Sequence, residues 1–239
     1  MSKVLTKAYK KVFKEILQLY GFKQKDLLFI KQVNDEIIQT LYLFKGSTPN
    51  EFTINIGLFP FCAEVSKRLY KEGNFRIGDF IDSGIDWYEY DPFDYISTEQ
   101  IVIKTLDVFN KNVYPVLNNV NSCYDYIMFN NNYEHSKFGS INWDSVYKLY
   151  SYLKIQDYET AYRIAQIIIM QTKEVASTNR FLYTDDEYKK YNEAINNDLL
   201  IFYKIIEAIN LKDIRFINNL IITNETATKK NLREYGFKY

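Results

Sequence analysis

Acidic side chains are concentrated in one segment near the middle of this sequence. Residues 79–107 carry eight aspartates and glutamates against the single Lys104, a local formal charge of −7. Aromatic residues are interleaved with these acids, namely Trp87, Tyr88, Tyr90, Phe93 and Tyr95. Charge of this kind speeds the encounter with a partner of opposite sign and selects among partners. The segment predicts either a surface that binds a basic protein or a solvated face without a partner. The candidate binding residues within it are Asp79, Asp86, Trp87, Asp91 and Asp94.

Asn55 and Arg76 complete the set of candidate binding residues. Asn55 lies inside an alternating run that predicts a strand, although asparagine lowers strand propensity. Three environments are open to it: solvent, a hydrogen bond to a neighbouring loop, or a groove shared with Arg76 and Trp87. Arginine and tryptophan are enriched at binding hot spots because they combine large contact area with directed polar groups.

The sequence gives little evidence for a catalytic or metal-binding motif. It has no nucleophile elbow, phosphate-binding loop, dinucleotide fingerprint or zinc-protease helix. His135 is the only histidine, and we expect it to be exposed. Residues 82–86 lack the order of acids and glycine that a calcium loop needs. Asp185, Asp186 and Glu187 stand at a predicted helix start, where acids favour the helix dipole. We therefore assign no catalytic residue, no metal and no cofactor.

The overall charge argues against nucleic acid as a partner. The 239 residues contain 30 lysines and arginines and 30 aspartates and glutamates, whereas dedicated nucleic-acid binders carry a basic excess. No leading apolar segment of a secretory signal and no apolar run of about 20 residues occurs. We expect a cytoplasmic protein without a membrane partner. The only two cysteines, Cys62 and Cys123, are interpreted as small buried side chains in a reducing compartment.

The N-terminal half combines a helix with strands. Apolar residues recur at three- and four-residue steps over residues 3–20, with Lys3, Lys7, Lys10 and Lys14 on the other face, and Gly21 ends the helix. Residues 27–33 and 36–45 predict a hairpin, and the alternation over residues 52–58 is the clearest strand. A short helix within 61–72 and a strand over 84–90 are expected to follow.

The C-terminal half has only helical patterns. Ser97 and Gln100 have the spacing of a capping box, and Pro115 predicts a kink or an end in the helix that follows. Further helices are predicted at residues 143–155, at 158–177 behind the N-cap Asp157, at about 185–209 behind the capping box Thr184–Glu187, and near 213–223. Residues 130–132 are the boundary candidate. The expected fold class is α+β, with residues 1–120 as an α+β domain and residues 121–239 as a helical domain packed on it as one core.

Short motifs in the first half resemble a known bacterial family. They are Gly21-Phe22-Lys23 with Phe29, residues 52–57 (FTINIG), Arg76-Ile77-Gly78-Asp79 and Asp86-Trp87-Tyr88. Over roughly residues 5–120 this resembles the uncharacterised family catalogued as domain of unknown function 4304. The family often has a Gln-Lys-Ser turn before the strand, whereas residues 44–47 here read FKGS. The resemblance supports the fold class and implies no activity.

Two functions remain open at this point. The favoured one is a non-catalytic binding protein whose acidic-aromatic surface contacts a basic protein, for example an immunity-type protein that neutralises a toxin. The alternative is an enzyme that acts on a small substrate with carboxylates and Arg76. A convex acidic-aromatic surface favours the first, and acids that converge in a pocket with shifted pKa values favour the second.

Overall fold

The computed structural model describes residues 3–48, 50–65, 68–81, 83–132 and 143–238. Asp82 and His135 lie outside the described residues. The helices are α1 (Lys3–Leu19), α2 (Leu69–Glu72), α3 (Tyr95–Val108), α4 (Tyr114–Asn118), α5 (Cys123–Asn132), α6 (Trp143–Lys154), α7 (Tyr158–Thr178), α8 (Asp185–Asn210) and α9 (Ile214–Arg233). The strands are β1 (Lys23–Lys25), β2 (Leu28–Val33), β3 (Ile37–Lys45), β4 (Glu51–Pro60), β5 (Phe75–Arg76) and β6 (Tyr88–Glu89). This order confirms the α+β class, with a sheet first and a helical half after it.

The sheet is antiparallel and built around β4. Its order is β1-β2-β3-β4-β5, and β6 also pairs with β4. The predicted hairpin forms between β2 and β3, with Val33 opposite Ile37. Asn34 in the turn has φ 51°, a left-handed conformation that asparagine adopts more readily than most residues.

Both faces of β4 are buried. Its alternation suggested that one face could be exposed to solvent, but Thr53, Asn55 and Gly57 are buried, like the apolar residues between them. Phe59, on the same face as Asn55, packs against Tyr70 of α2 and Tyr147 of α6. Solvent was one predicted environment for the Asn55 face of β4, but helices cover that face instead.

Helix α1 covers the opposite face of the sheet. Tyr9 packs edge-on against Phe29 of β2, and Phe13 contacts Phe109. Lys3, Lys7 and Lys14 are exposed, as predicted for a solvated helix face, and Lys10 is half-buried. Gly21 follows the helix with φ 86°, as a C-terminal glycine does.

Local boundaries differ from the prediction in four places. Residues 84–90 contain only the two-residue strand β6, whereas the short helix expected within 61–72 is present as α2. Asp94, not Ser97, caps α3, because its carboxylate accepts from the backbone N–H groups of Ile96 and Ser97. Before Pro115, which cannot donate a backbone hydrogen bond, the helix widens into a π turn at Phe109–Val113. The boundary candidate, residues 130–132, is the last part of α5.

Helix α9 holds the segment that follows β4. Asn224 donates to the Cys62 carbonyl at 3.1 Å, Thr228 to the Ala63 carbonyl at 3.1 Å, and Asn231 to the Val65 carbonyl at 3.0 Å. Residues at these spacings lie on one helix face. One cluster of buried apolar side chains runs from α1 and the sheet into α6, α7 and α9. None of the helices in the described ranges has the length and apolar character needed to cross a bilayer.

Candidate functional site

Asn55 and Arg76 face each other on paired strands. β5 places Arg76 directly opposite Asn55 of β4. Asn55 is only 6% exposed, and its side-chain amide donates to the Lys71 carbonyl at 3.2 Å. Solvent is thus excluded for Asn55, because its amide bonds to a carbonyl of the short helix α2, and Arg76 lies opposite it on β5. This hydrogen bond has a structural role, because it ties β4 to α2.

Arg76 also gathers three residues of the acidic segment. Its guanidinium lies 3.8 Å from the Asp86 carboxylate and 5.0 Å from the centre of the Trp87 ring. Its backbone N–H donates to Asp79 at 2.7 Å. Asn55, Arg76, Asp79, Asp86 and Trp87 therefore form one cluster, which we call the Arg76 cluster. An arginine held between a carboxylate and an aromatic ring loses much of its freedom to reach a ligand.

The carboxyl of Asp86 is held in an unfavourable environment. Burial and the nearby charge of Asp79 raise its pKa, while Arg76 and the backbone of Gly78 act in the opposite direction. A side chain at position 78 would collide with this carboxyl, so Gly78 permits the close approach. Burial and the charge of Asp86 also raise the pKa of Tyr88.

Asp91 and Asp94 lie outside the Arg76 cluster and shape the start of α3. The Asp91 carboxylate accepts from the Phe93 backbone at 2.8 Å, and its carbonyl accepts from the Thr98 hydroxyl at 2.6 Å. Asp94 is the N-cap residue already described. Replacing such a cap with alanine commonly costs about 1 kcal/mol, so Asp94 contributes to the fold as well as to the surface charge.

A like-charged pair flanks Asp91. Register places Glu51 of β4 directly opposite Glu89 of β6, an arrangement that destabilises a sheet. Glu51, Glu89 and Asp91 line one open groove with Phe93. Phe93 is 95% exposed, and Ile96 on the first turn of α3 is 69% exposed. We call this surface the acidic groove.

The N-terminal lysines partly neutralise the acidic segment. Lys11 of α1 forms a 2.7 Å ion pair with Glu99, and Lys7 lies over the Tyr95 ring. Helix α1 thus contacts the C-terminal part of the acidic segment, at the first turns of α3. Lys23 and Lys25 serve another purpose, since they donate to the carbonyls of residues 236 and 234.

The sequence analysis missed Glu51, and it counted Glu89 in the acidic segment without selecting it as a binding residue. Glu51 lies 38 positions before Glu89, and only the β4–β6 register brings the two together. An acid at the edge of a strongly alternating strand was the available signal, but its cross-strand partner was not visible. Among the described residues, no three acidic, histidine or cysteine side chains gather as a metal-binding group.

Comparisons with known proteins add nothing to this geometry. No protein-family model matches the chain, and no curated protein or solved structure matches it. The resemblance to domain of unknown function 4304 therefore stays a prediction.

Proposed function

We propose that this protein is a non-catalytic binding protein whose acidic groove contacts a basic segment of a partner protein. The observation that carries the proposal is the Glu51–Glu89 pair beside Asp91 and the fully exposed Phe93. Like charges opposite each other disfavour the free fold, and a lysine or arginine placed between them would relieve that repulsion. Charge complementarity thus favours a basic occupant over an acidic or purely apolar one.

The exposed aromatic ring gives the proposed contact a second component. Phe93 and Ile96 offer apolar area that a partner can bury, while the surrounding carboxylates steer its approach. Binding hot spots often combine such an anchor with a polar rim. A toxin-neutralising immunity protein is one protein class that would use this surface against a basic enzyme.

The alternative, an enzyme that uses carboxylates and Arg76, draws support from the raised pKa of Asp86. A perturbed acid beside an arginine is a common catalytic feature. Against this, Arg76 already contacts Asp86 and Trp87, and the acidic groove is lined by different residues. The binding proposal therefore accounts for more of the observed surface.

The test uses a fluorescent peptide in which arginine and leucine alternate, titrated at low and physiological salt. Glu51→Gln, Glu89→Gln and Asp91→Asn combined should weaken binding at least tenfold and flatten its salt dependence, because three charges are lost from one groove. A matched control removes three charges elsewhere, with Glu174→Gln, Glu193→Gln and Asp198→Asn on exposed positions of α7 and α8.

Phe93→Ala separates the apolar component from the charge. It should increase the dissociation rate and leave the salt dependence unchanged, since steering depends on charge. Equal weakening by the groove and control triple variants would contradict the proposal, because the peptide would then respond to net charge alone.

A further inference from the structure

The only two cysteines of the chain meet in the core. Their Sγ atoms are 3.7 Å apart, although the residues are separated by 61 positions. Cys62 lies just after β4 and Cys123 is the first residue of α5. The side chains are buried, and both are free thiols.

The backbone around both thiols is fixed by contacts from other elements. The Cys62 carbonyl accepts from Asn224 of α9 at 3.1 Å, and the Cys123 N–H donates to Glu36 at 2.7 Å. Thiols on two restrained segments stay close together in the native state. A disulfide needs its sulfurs about 2.05 Å apart, so closing the remaining gap requires a combined shift of less than about 2 Å.

We propose that Cys62 and Cys123 are a redox modification site that closes to an intramolecular disulfide with a low-molecular-weight disulfide such as oxidised glutathione. In the first step one cysteine thiolate attacks a glutathione sulfur, forms a mixed disulfide and releases one glutathione thiolate. The second cysteine thiolate then attacks the protein-bound sulfur and releases the other. Two cysteines are oxidised, one glutathione disulfide is reduced to two thiols, and the two protons pass to the released thiolates.

The surroundings predict a slow but favourable reaction. Burial raises the pKa of the Cys62 thiol well above its usual range, while Lys154 acts in the opposite direction. Only the thiolate attacks a disulfide, so the rate is limited by opening of the core and deprotonation. The equilibrium between dithiol and disulfide does not depend on that rate. It depends on how close the native fold holds the two sulfurs. This inference goes beyond the proposed binding function and does not depend on it.

The experiment measures that equilibrium in glutathione buffers, in native buffer and in concentrated urea, starting from reduced and from oxidised protein. Acid quenching and alkylation in urea then distinguish the crosslinked form from the dithiol by mass. We expect the crosslinking constant to be at least about 30-fold larger in native buffer, the ratio that corresponds to the lower end of disulfide stabilisation. The oxidised protein should also melt at a higher temperature than the reduced one.

Single variants define the specificity of the reaction. Cys62→Ser and Cys123→Ser should give only a mixed disulfide with glutathione. A crosslinking constant in native buffer that is equal to or below the value in urea would overturn the proposal. So would a wild-type product that is only glutathionylated or only crosslinked between two chains. These outcomes need no variant to fold, since they are measured on the wild-type protein.

Discussion

Glu51 and Glu89 are an unusual pair to stand opposite each other where β4 begins. Their carboxylates share one face of the β4–β6 ladder, and cross-strand pairs contribute on the order of 0.2–1 kcal/mol in either direction. Glu89→Gln should therefore raise the free energy of unfolding by up to about 1 kcal/mol in a urea titration at low salt. High salt should shrink the gain, because salt screens exposed charges.

The control for this prediction is Glu174→Gln, which removes an exposed acid on α7. It should change stability by no more than about 0.5 kcal/mol. Loss of stability in Glu89→Gln would mean that the carboxylate makes a favourable contact and that the pair is not repulsive.

Asp86 gives the molecule a pH dependence of opposite sign to that of most acids. Burial raises its pKa above the ordinary value of 3.8, so the native state binds the proton more tightly than the unfolded state. Its contribution to the free energy of unfolding is greatest at low pH and decreases as pH rises through the folded-state pKa. Asp86→Asn cannot ionise, and its stability relative to wild type should therefore increase as pH is raised above about 4. Urea titrations at a series of pH values measure this difference.

Arg76→Met sharpens the test of Asp86. Arg76 lowers the pKa of Asp86. Removing the arginine should therefore extend the pH-dependent loss of stability to higher pH. Parallel stability curves for Asp86→Asn and wild type at every pH would show that the carboxyl has the same proton affinity in both states.

At the scale of elements, the polar face of α9 should contribute to stability through single hydrogen bonds. The Thr228 side chain is fully buried and donates to the Ala63 carbonyl. Thr228→Val keeps the shape and leaves that carbonyl without its donor, which should cost about 1–3 kcal/mol. Thr226→Val is the matched control two residues earlier, because its exposed hydroxyl bonds only within α9. Equal effects of the two variants in urea denaturation would contradict this role for Thr228.

Signals within one turn of chain predicted the elements well, and contacts between distant segments were not predicted. Asp157 caps α7 and Thr184 forms a capping box with Glu187, as their spacing indicated. The alternation of β4 was a weaker guide to its surroundings. A two-residue alternation shows which side chains are polar, but it does not show whether they are exposed. Thr53 and Asn55 are small enough to be buried under helices whose positions the sequence alone could not predict.

The candidate site shows the same division. Four of the other six predicted residues lie around Arg76, and the register of β4 and β5 explains the position of Asn55 among them. Asp91 and Asp94 belong to the start of α3, because each bonds to backbone groups there. Glu51 and the two thiols depend on contacts between residues tens of positions apart, and no local pattern encodes such contacts.

At the scale of the whole molecule, we predict that both halves unfold together. The buried apolar cluster runs from α1 and the sheet into α9, and α9 also bonds to the segment after β4. The division into residues 1–120 and 121–239 therefore describes composition more than independent units. Differential scanning calorimetry should give one transition, with equal calorimetric and van't Hoff enthalpies. Two separated transitions would contradict this prediction.

The hold of α9 on residues 62–65 also has a consequence for synthesis. Asn224 is translated 162 residues after Cys62, which at about 5–20 residues per second corresponds to a delay of roughly 8 to 30 s. The sheet can form during that interval, but three carbonyls beside it must stay hydrated until α9 emerges. The turn after β4 is thus synthesised early, but it acquires these native hydrogen bonds only after residues 224–231 have been made.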